Sequence, residues 1–175
     1  MINYDIIYEY AADNYGLITS GEAKMLGIPN VELVKLAHRG KLKRLGHGVY
    51  RIAHYIPTAY DEYAEAVTLV GHGATIYGES VLALHGLALV NPSVIHIATH
   101  DRVRKKLPAH IRIVHPSTYF TAVEYEGIPS QSVYDALISC RATIMKERLM
   151  EAVSEAKRQG LITNAEAGVA RVELQ

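Results

Sequence analysis

Apolar and polar positions change their period several times along the first fifty residues. Between Ile2 and Asn14, the apolar residues Ile6, Ile7, Tyr10 and Ala11 recur at helical spacing, and Gly16 follows the end. Thr19 and Ser20 then offer an N-cap with Glu22 in the first turn, which predicts a short helix over 21–26 that stops at Gly27. Pro29 suits the first turn of a third helix, which runs to about Arg39 and stops at Gly40. Residues 42–45 and 49–52 read as two short strands, with Gly46-His47-Gly48 as the turn between them. Helix, helix, helix, hairpin is the order of a winged helix-turn-helix.

The pattern changes after Pro57. A helix is predicted over 60–70 and a short apolar one over 79–84, ending at His85-Gly86. Residues 94–98, 111–114 and 119–125 read as strands, and 130–140 and 144–158 as helices. In the last of these Met145, Leu149, Ala152, Val153 and Ala156 form one stripe, with Lys146, Arg148, Glu151 and Glu155 off it. The expected fold class is therefore α+β: an N-terminal winged helix-turn-helix over 1–56, followed by a mixed α/β domain over 57–175.

Periodicity also divides the third helix into two faces. Leu33, Leu36 and Ala37 must pack inward, which leaves Val31, Lys35 and His38 on the opposite face, flanked by Val34 and Arg39. A face carrying cations and a small apolar side chain suits a major groove, where cations meet phosphates or guanine edges and Val can touch a thymine methyl.

Charge strengthens this picture. The chain of 175 residues balances 18 Lys and Arg against 18 Asp and Glu. No acidic residue falls between Leu33 and Tyr60, where Lys35, Arg39, Lys41, Lys43, Arg44 and Arg51 lie with His38, His47 and His54. Locally basic segments in a neutral protein point to an anionic partner at one place. The expected DNA-binding residues are Val31, Lys35, His38, Arg39, Lys41, Lys43, Arg44, His47 and Arg51, those of the hairpin lying along the phosphate backbone. A second basic cluster, Arg102, Arg104, Lys105 and Lys106, sits in a loop between two strands. It is a solvated loop, or a secondary contact to DNA, RNA or an acidic protein surface.

Composition excludes other classes. Apolar residues make up 49% of the chain, enough for a packed core, and no apolar run reaches the roughly 18 residues of a membrane span. Met1-Ile2-Asn3-Tyr4-Asp5 lacks a basic stretch leading into an apolar one, so no signal peptide is expected. The single cysteine, Cys140, excludes an internal disulfide framework and a cysteine zinc cluster, and suits a reducing cytoplasm.

No catalytic, metal or cofactor site is expected. Ser80 and His85 are five apart on a short helix, so their side chains diverge, and no G-x-S-x-G elbow surrounds the serine. His96, His100, His110 and His115 lack helical ligand spacing. Gly71-His72-Gly73 lacks the Lys of a phosphate loop. Cys140 reads as a small buried hydrophobe. Glu155-Ala156-Lys157, with Asp135 upstream, matches the E-x-K element of metal-dependent nucleases, but that chemistry wants a strand and the triplet falls in an amphipathic helix.

Several stretches carry a resemblance. Ile18-Thr19-Ser20-Gly21-Glu22-Ala23, Leu26-Gly27-Ile28, Arg39-Gly40-Lys41-Leu42 and Arg44-Leu45-Gly46-His47-Gly48-Val49-Tyr50 resemble the N-terminal domain of AbiEi-type antitoxins of type IV toxin–antitoxin systems, associated with abortive phage infection. Gly78 to Leu87, Ile95-His96-Ile97-Ala98, and Gly127-Ile128-Pro129-Ser130 leading into Tyr134-Asp135-Ala136-Leu137 are similar to later segments of that family. The Arg-Gly-x-Leu…Gly-Val-Tyr hairpin is the most specific part. The resemblance implies a winged helix that binds double-stranded DNA, at repeats in its own promoter, and represses it. It implies a second domain that counters a nucleotidyltransferase-like toxin of the AbiEii class without necessarily forming a stable complex. The family commonly has Arg just before Gly-Val-Tyr. This chain has His47 there, which makes a wing-tip contact weaker and pH-dependent. The competing readings are a stand-alone regulator with no toxin, and a nuclease acting through Glu155 and Lys157.

Overall fold

The structure is a computed structural model that describes residues 2–175, so Met1 of the N-terminal stretch weighed for a signal peptide lies outside the described residues. The chain forms two compact units. The first holds the residues up to His72 together with Val103–Leu107, and the second holds Gly73–Arg102 and Pro108–Gln175. The fold is mixed α+β, a winged helix-turn-helix followed by a mixed sheet with helices.

In the first unit, α1 (Ile2–Ala12) leads into a three-residue strand, β1 (Leu17–Thr19), then α2 (Ser20–Met25) and α3 (Asn30–His38). The hairpin β2 (Leu42–Gly46) and β3 (Val49–Ile52) follows, then α4 (Asp61–Val70). Thr19 caps α2 through a capping box: Glu22 N donates to Thr19 Oγ1 at 3.2 Å, and Thr19 N donates to Glu22 Oε2 at 2.7 Å. Pro29 is the N-cap of α3 rather than part of its first turn, a difference of one residue.

The strands form an antiparallel sheet in the order β1-β3-β2, with Ile18 opposite Tyr50 and Leu42 opposite Ile52. Strand β1 was not expected, because its three residues start directly after Gly16 and end on the helix cap itself, Thr19. It makes β3 the central strand. Ile7 and Ala11 of α1, Ala23 of α2, and Leu33 and Leu36 of α3 close over Ile18, Tyr50 and Ile52 of the sheet in one buried cluster. At the hairpin tip Gly48 has φ +68°, a conformation that excludes most side chains. Its carbonyl accepts from Ser20 N at 2.8 Å, which ties the turn of the wing to the start of α2.

The break in character at Pro57 does not coincide with the boundary between compact units. Helix α4 lies in the first unit. Its Glu65 accepts a hydrogen bond from Arg51 of β3, and Leu69 lies against Gly46.

In the second unit, β4 (Thr75–Ile76), α5 (Glu79–Leu84), β5 (Ile95–Ala98), β6 (Ile111–Val114), β7 (Ala122–Tyr125) and β8 (Ile128–Gln131) are followed by α6 (Val133–Ser139), a 3-10 turn (Cys140–Ala142), α7 (Lys146–Arg158) and α8 (Asn164–Glu173). The sheet order is β6-β5-β4-β8-β7, with β5–β6 and β4–β8 parallel and the other pairs antiparallel. Strand β7 begins at Ala122 rather than 119, and α6 at Val133 rather than 130. The cause is a hairpin. Glu126 and Gly127 both take positive φ (51° and 74°), the two-residue turn that matches strand twist, and residues 128–131 become β8. Ser132 then caps α6, its Oγ accepting from Asp135 N. Among the described residues no helix is long and apolar enough to cross a membrane.

Candidate nucleic-acid interface

The residues of α3 and its C-cap Arg39 divide by burial as the helical period dictates. Leu33 and Leu36 are buried, Ala37 is half-buried, and Val31, Val34, Lys35, His38 and Arg39 are exposed. Val31 is 55% exposed and the Lys35 side chain 52% exposed, so the outer face of the helix is open. Lys35 Nζ donates to Glu32 Oε1 at 2.7 Å. That bond, above all, holds the Glu32 carboxyl below the usual carboxylate range.

The wing stands beside this helix. Val34, His38, Lys43, Arg44 and Tyr50 line a groove of about 410 Å³ between α3 and β2. Lys43, Arg44 and His47 are exposed, and Arg44 Nε donates to the Gly46 carbonyl at 3.2 Å, which orients that side chain along the turn. Of the expected residues, His38, Lys43 and Arg44 are thus brought together by α3 and the hairpin, with Lys35, Arg39 and His47 exposed nearby in the chain. Lys41 stands apart from the wing tip, its Nζ 5.6 Å from the Tyr4 ring of α1.

Arg51 departs from the expectation. Only 19% of its side chain is exposed, and its Nη1 donates to Glu65 Oε2 at 2.9 Å. Asp61 Oδ2 stands 4.0 Å from Nη2, and the guanidinium lies 5.8 Å from the Tyr55 ring centroid. On the central strand β3 it points to the carboxylates of α4 instead of outward, so it is a structural ion pair and not a wing contact.

One group escaped the sequence reading. Asn30, the first residue of α3, accepts from Ser20 Oγ through its Oδ1 at 2.9 Å, which leaves its amide NH2 as a donor at the end of the helix that reads base edges in helix-turn-helix proteins. Proline followed by a short polar residue signals a helix start and nothing more. Of the second basic cluster, Arg104, Lys105 and Lys106 fall within the first compact unit and Arg102 within the second; all four are exposed.

Other candidate chemistry resolves into structural roles. Ser80 is fully buried at the start of α5, its Oγ accepting from His96 N at 2.8 Å. The His85 ring lies tilted at 53° against Tyr125, centroids 4.2 Å apart, and burial lowers its pKa to about 4. Burial, chiefly, raises Cys140 to about 12. Glu155 and Lys157 lie on α7, and Glu155 is bonded to Arg158 at 2.6 Å and to Gln159, which bring its pKa down to about 2. A carboxylate so engaged on the outer face of an amphipathic helix lacks the strand setting the E-x-K reading requires. Among the described residues no cluster of three or more His, Cys, Asp or Glu could hold a metal.

Residues 5–53 match the family model described as transcriptional regulator, AbiEi antitoxin. The match covers α2, α3 and the hairpin, the segments whose motifs carry the AbiEi resemblance, and it supports a DNA-binding regulator of the antitoxin kind. No curated protein sequence matches significantly. The crystal structure of the RV2827C protein from Mycobacterium tuberculosis is similar over 99% of this chain and 82% of that chain, with 14% identity and a TM-score of 0.46.

Proposed function

We propose that this chain acts in the cytoplasm as an AbiEi-type antitoxin that binds repeats in its own promoter, represses its operon, and counters a nucleotidyltransferase-like toxin of the AbiEii class. The observation that carries this reading is the exposed face of α3, with Val31, Lys35 and His38 outward and Lys43, Arg44 and His47 of the wing beside it. The helix lies in the major groove, Asn30 and the outward side chains meeting base edges, while the wing cations follow the phosphates and set register and salt dependence. The second unit counters the toxin's effect.

Protection mapping on the DNA upstream of the gene tests the regulatory half. Paired repeats should be protected, and the combined Lys35→Ala and Arg44→Ala protein should lose the footprint. An unprotected upstream region would remove autorepression. For the antitoxin half, a gene for a nucleotidyltransferase-like protein directly downstream, whose toxicity co-expression relieves, is the expected result; a lone gene with no such neighbour returns the chain to a stand-alone regulator.

A further inference from the structure

The segment Val103–Leu107 comes from the second half of the sequence and packs as part of the winged-helix unit. Its place there is near the C-terminal end of α4: a methyl group built at Gly71 would stand 3.3 Å from Lys105 Nζ. Lys105 thereby joins Arg44, His47 and His72 in lining an open cleft of about 580 Å³, together with Ser20 and Asn30. No Asp or Glu lines this cleft among the described residues. Val34 of α3 and Arg44 and Tyr50 of the hairpin line both it and the groove between α3 and β2, so the two depressions meet at the flank of the exposed helix face.

We infer that Lys105 is a phosphate-contacting residue of the DNA interface, gripping the sugar-phosphate backbone beyond the wing on the side of α4. The inference rests on the DNA-binding reading of α3. Two permanent cations and two imidazoles along an acid-free cleft suit an anionic partner, and continuity with the groove beside α3 makes that partner the nucleic acid seated there. A strand passing from the major groove over the wing presents successive phosphates along such a track. Lys105 is a point charge on a flexible stem, which suits it to positioning rather than base recognition. The second basic cluster is thereby divided: Lys105 faces the duplex, whereas Lys106 does not line the cleft.

Fluorescence anisotropy with the full chain tests this, using a labelled duplex of random sequence and a duplex from the upstream region across a salt series. Lys105→Ala should reduce the slope of log affinity against log salt by about 0.9 on both duplexes, the value for one lost phosphate contact. Lys105→Arg should keep the wild-type slope, and Lys106→Ala should change it less than Lys105→Ala does. Thermal melting should be unchanged, because the side chain is exposed. A wild-type slope for Lys105→Ala, with binding by Lys35→Ala plus Arg44→Ala weakened, overturns the role of Lys105 and leaves the α3 reading standing. Failure of the wild-type chain to bind either duplex overturns both.

Discussion

Arg51 Nη1 donates to Glu65 Oε2 across 2.9 Å, which joins the central strand of the winged-helix sheet to α4. Both side chains are mostly covered, at 19% and 22% exposure, and Tyr55 OH donates at 3.3 Å to Asp61 on the same helix. Removing one partner of such a pair leaves the other charge poorly solvated. Arg51→Ala is expected to lower folding stability by about 2 kcal/mol, in the range for hydrogen bonds to charged groups. Folded Arg51→Ala should nevertheless show the wild-type salt slope in DNA titrations, since this guanidinium does not face the interface. Urea unfolding and anisotropy on the same preparation check both. A reduced slope at full stability would return Arg51 to the wing.

Glu32 and Lys35 are paired on the outer face of α3, and Lys35 must exchange that carboxylate for a phosphate when DNA binds. Glu32→Gln removes the competing charge and the repulsion it exerts on the duplex. It should tighten binding several-fold, by about 1 kcal/mol, while stability moves by less than about 0.5 kcal/mol, as for exposed pairs. Parallel titrations and melts read the two effects. Unchanged or weaker binding by a stably folded Glu32→Gln would show that this face of α3 stands away from the phosphates.

These two ion pairs also show what the sequence discloses. Leu33 and Leu36 recur at helical spacing, so the outward face of α3 follows from local geometry, and Gly46-His47-Gly48 marks the wing because a tight turn needs its glycines. Arg51 was misplaced because charge along the chain gives sign and not partners; nothing local says that Asp61 and Glu65 return to β3. Lys105 is subject to the same limit, since its approach to Gly71 is made by the fold and not by spacing. Strands β1 and β4 are too short to carry a period, whereas β8 was absorbed into the helix that follows it. Helix α8 had a legible start: Thr163 and Glu166 stand at capping-box spacing, and Thr163 N donates to Glu166 Oε2 at 2.7 Å.

The second unit should lose stability in mild acid through His85. Burial lowers its folded pKa to about 4, against about 6.5 for an unperturbed imidazole. A depressed folded value means that folding favours the neutral ring. The stabilisation is complete above pH 6.5, declines as pH falls toward 4, and changes no further below that, where the ring is protonated in both states. The loss amounts to up to about 3 kcal/mol for a shift of this size. His85→Phe keeps a ring against Tyr125 and removes the titration. Denaturant midpoints at neutral pH and near pH 4.5 should therefore fall less for His85→Phe than for the wild type. Burial also lowers His96, which acts in the same direction in both proteins and cancels in the comparison. Equal acid losses would show that His85 is hydrated in the folded state.

Truncation separates the roles of α4 and the second unit. A fragment ending near Ile56 keeps every residue of α3 and the wing but lacks Asp61 and Glu65, and with them the partners of Arg51. A fragment ending at His72 restores α4, whose Ala64, Ala66, Leu69 and Val70 are buried. The longer fragment should be more stable by more than about 2 kcal/mol, from the ion pair and the apolar surface that α4 covers. It should also bind DNA, but with a salt slope about 0.9 below that of the full chain, because it lacks Lys105. Neither fragment should rescue cells from the toxin, since the proposed toxin-countering unit is absent from both. Equal melting of the two fragments would remove α4 from the winged-helix unit, and rescue by the longer one would place the antitoxin activity within the DNA-binding unit itself.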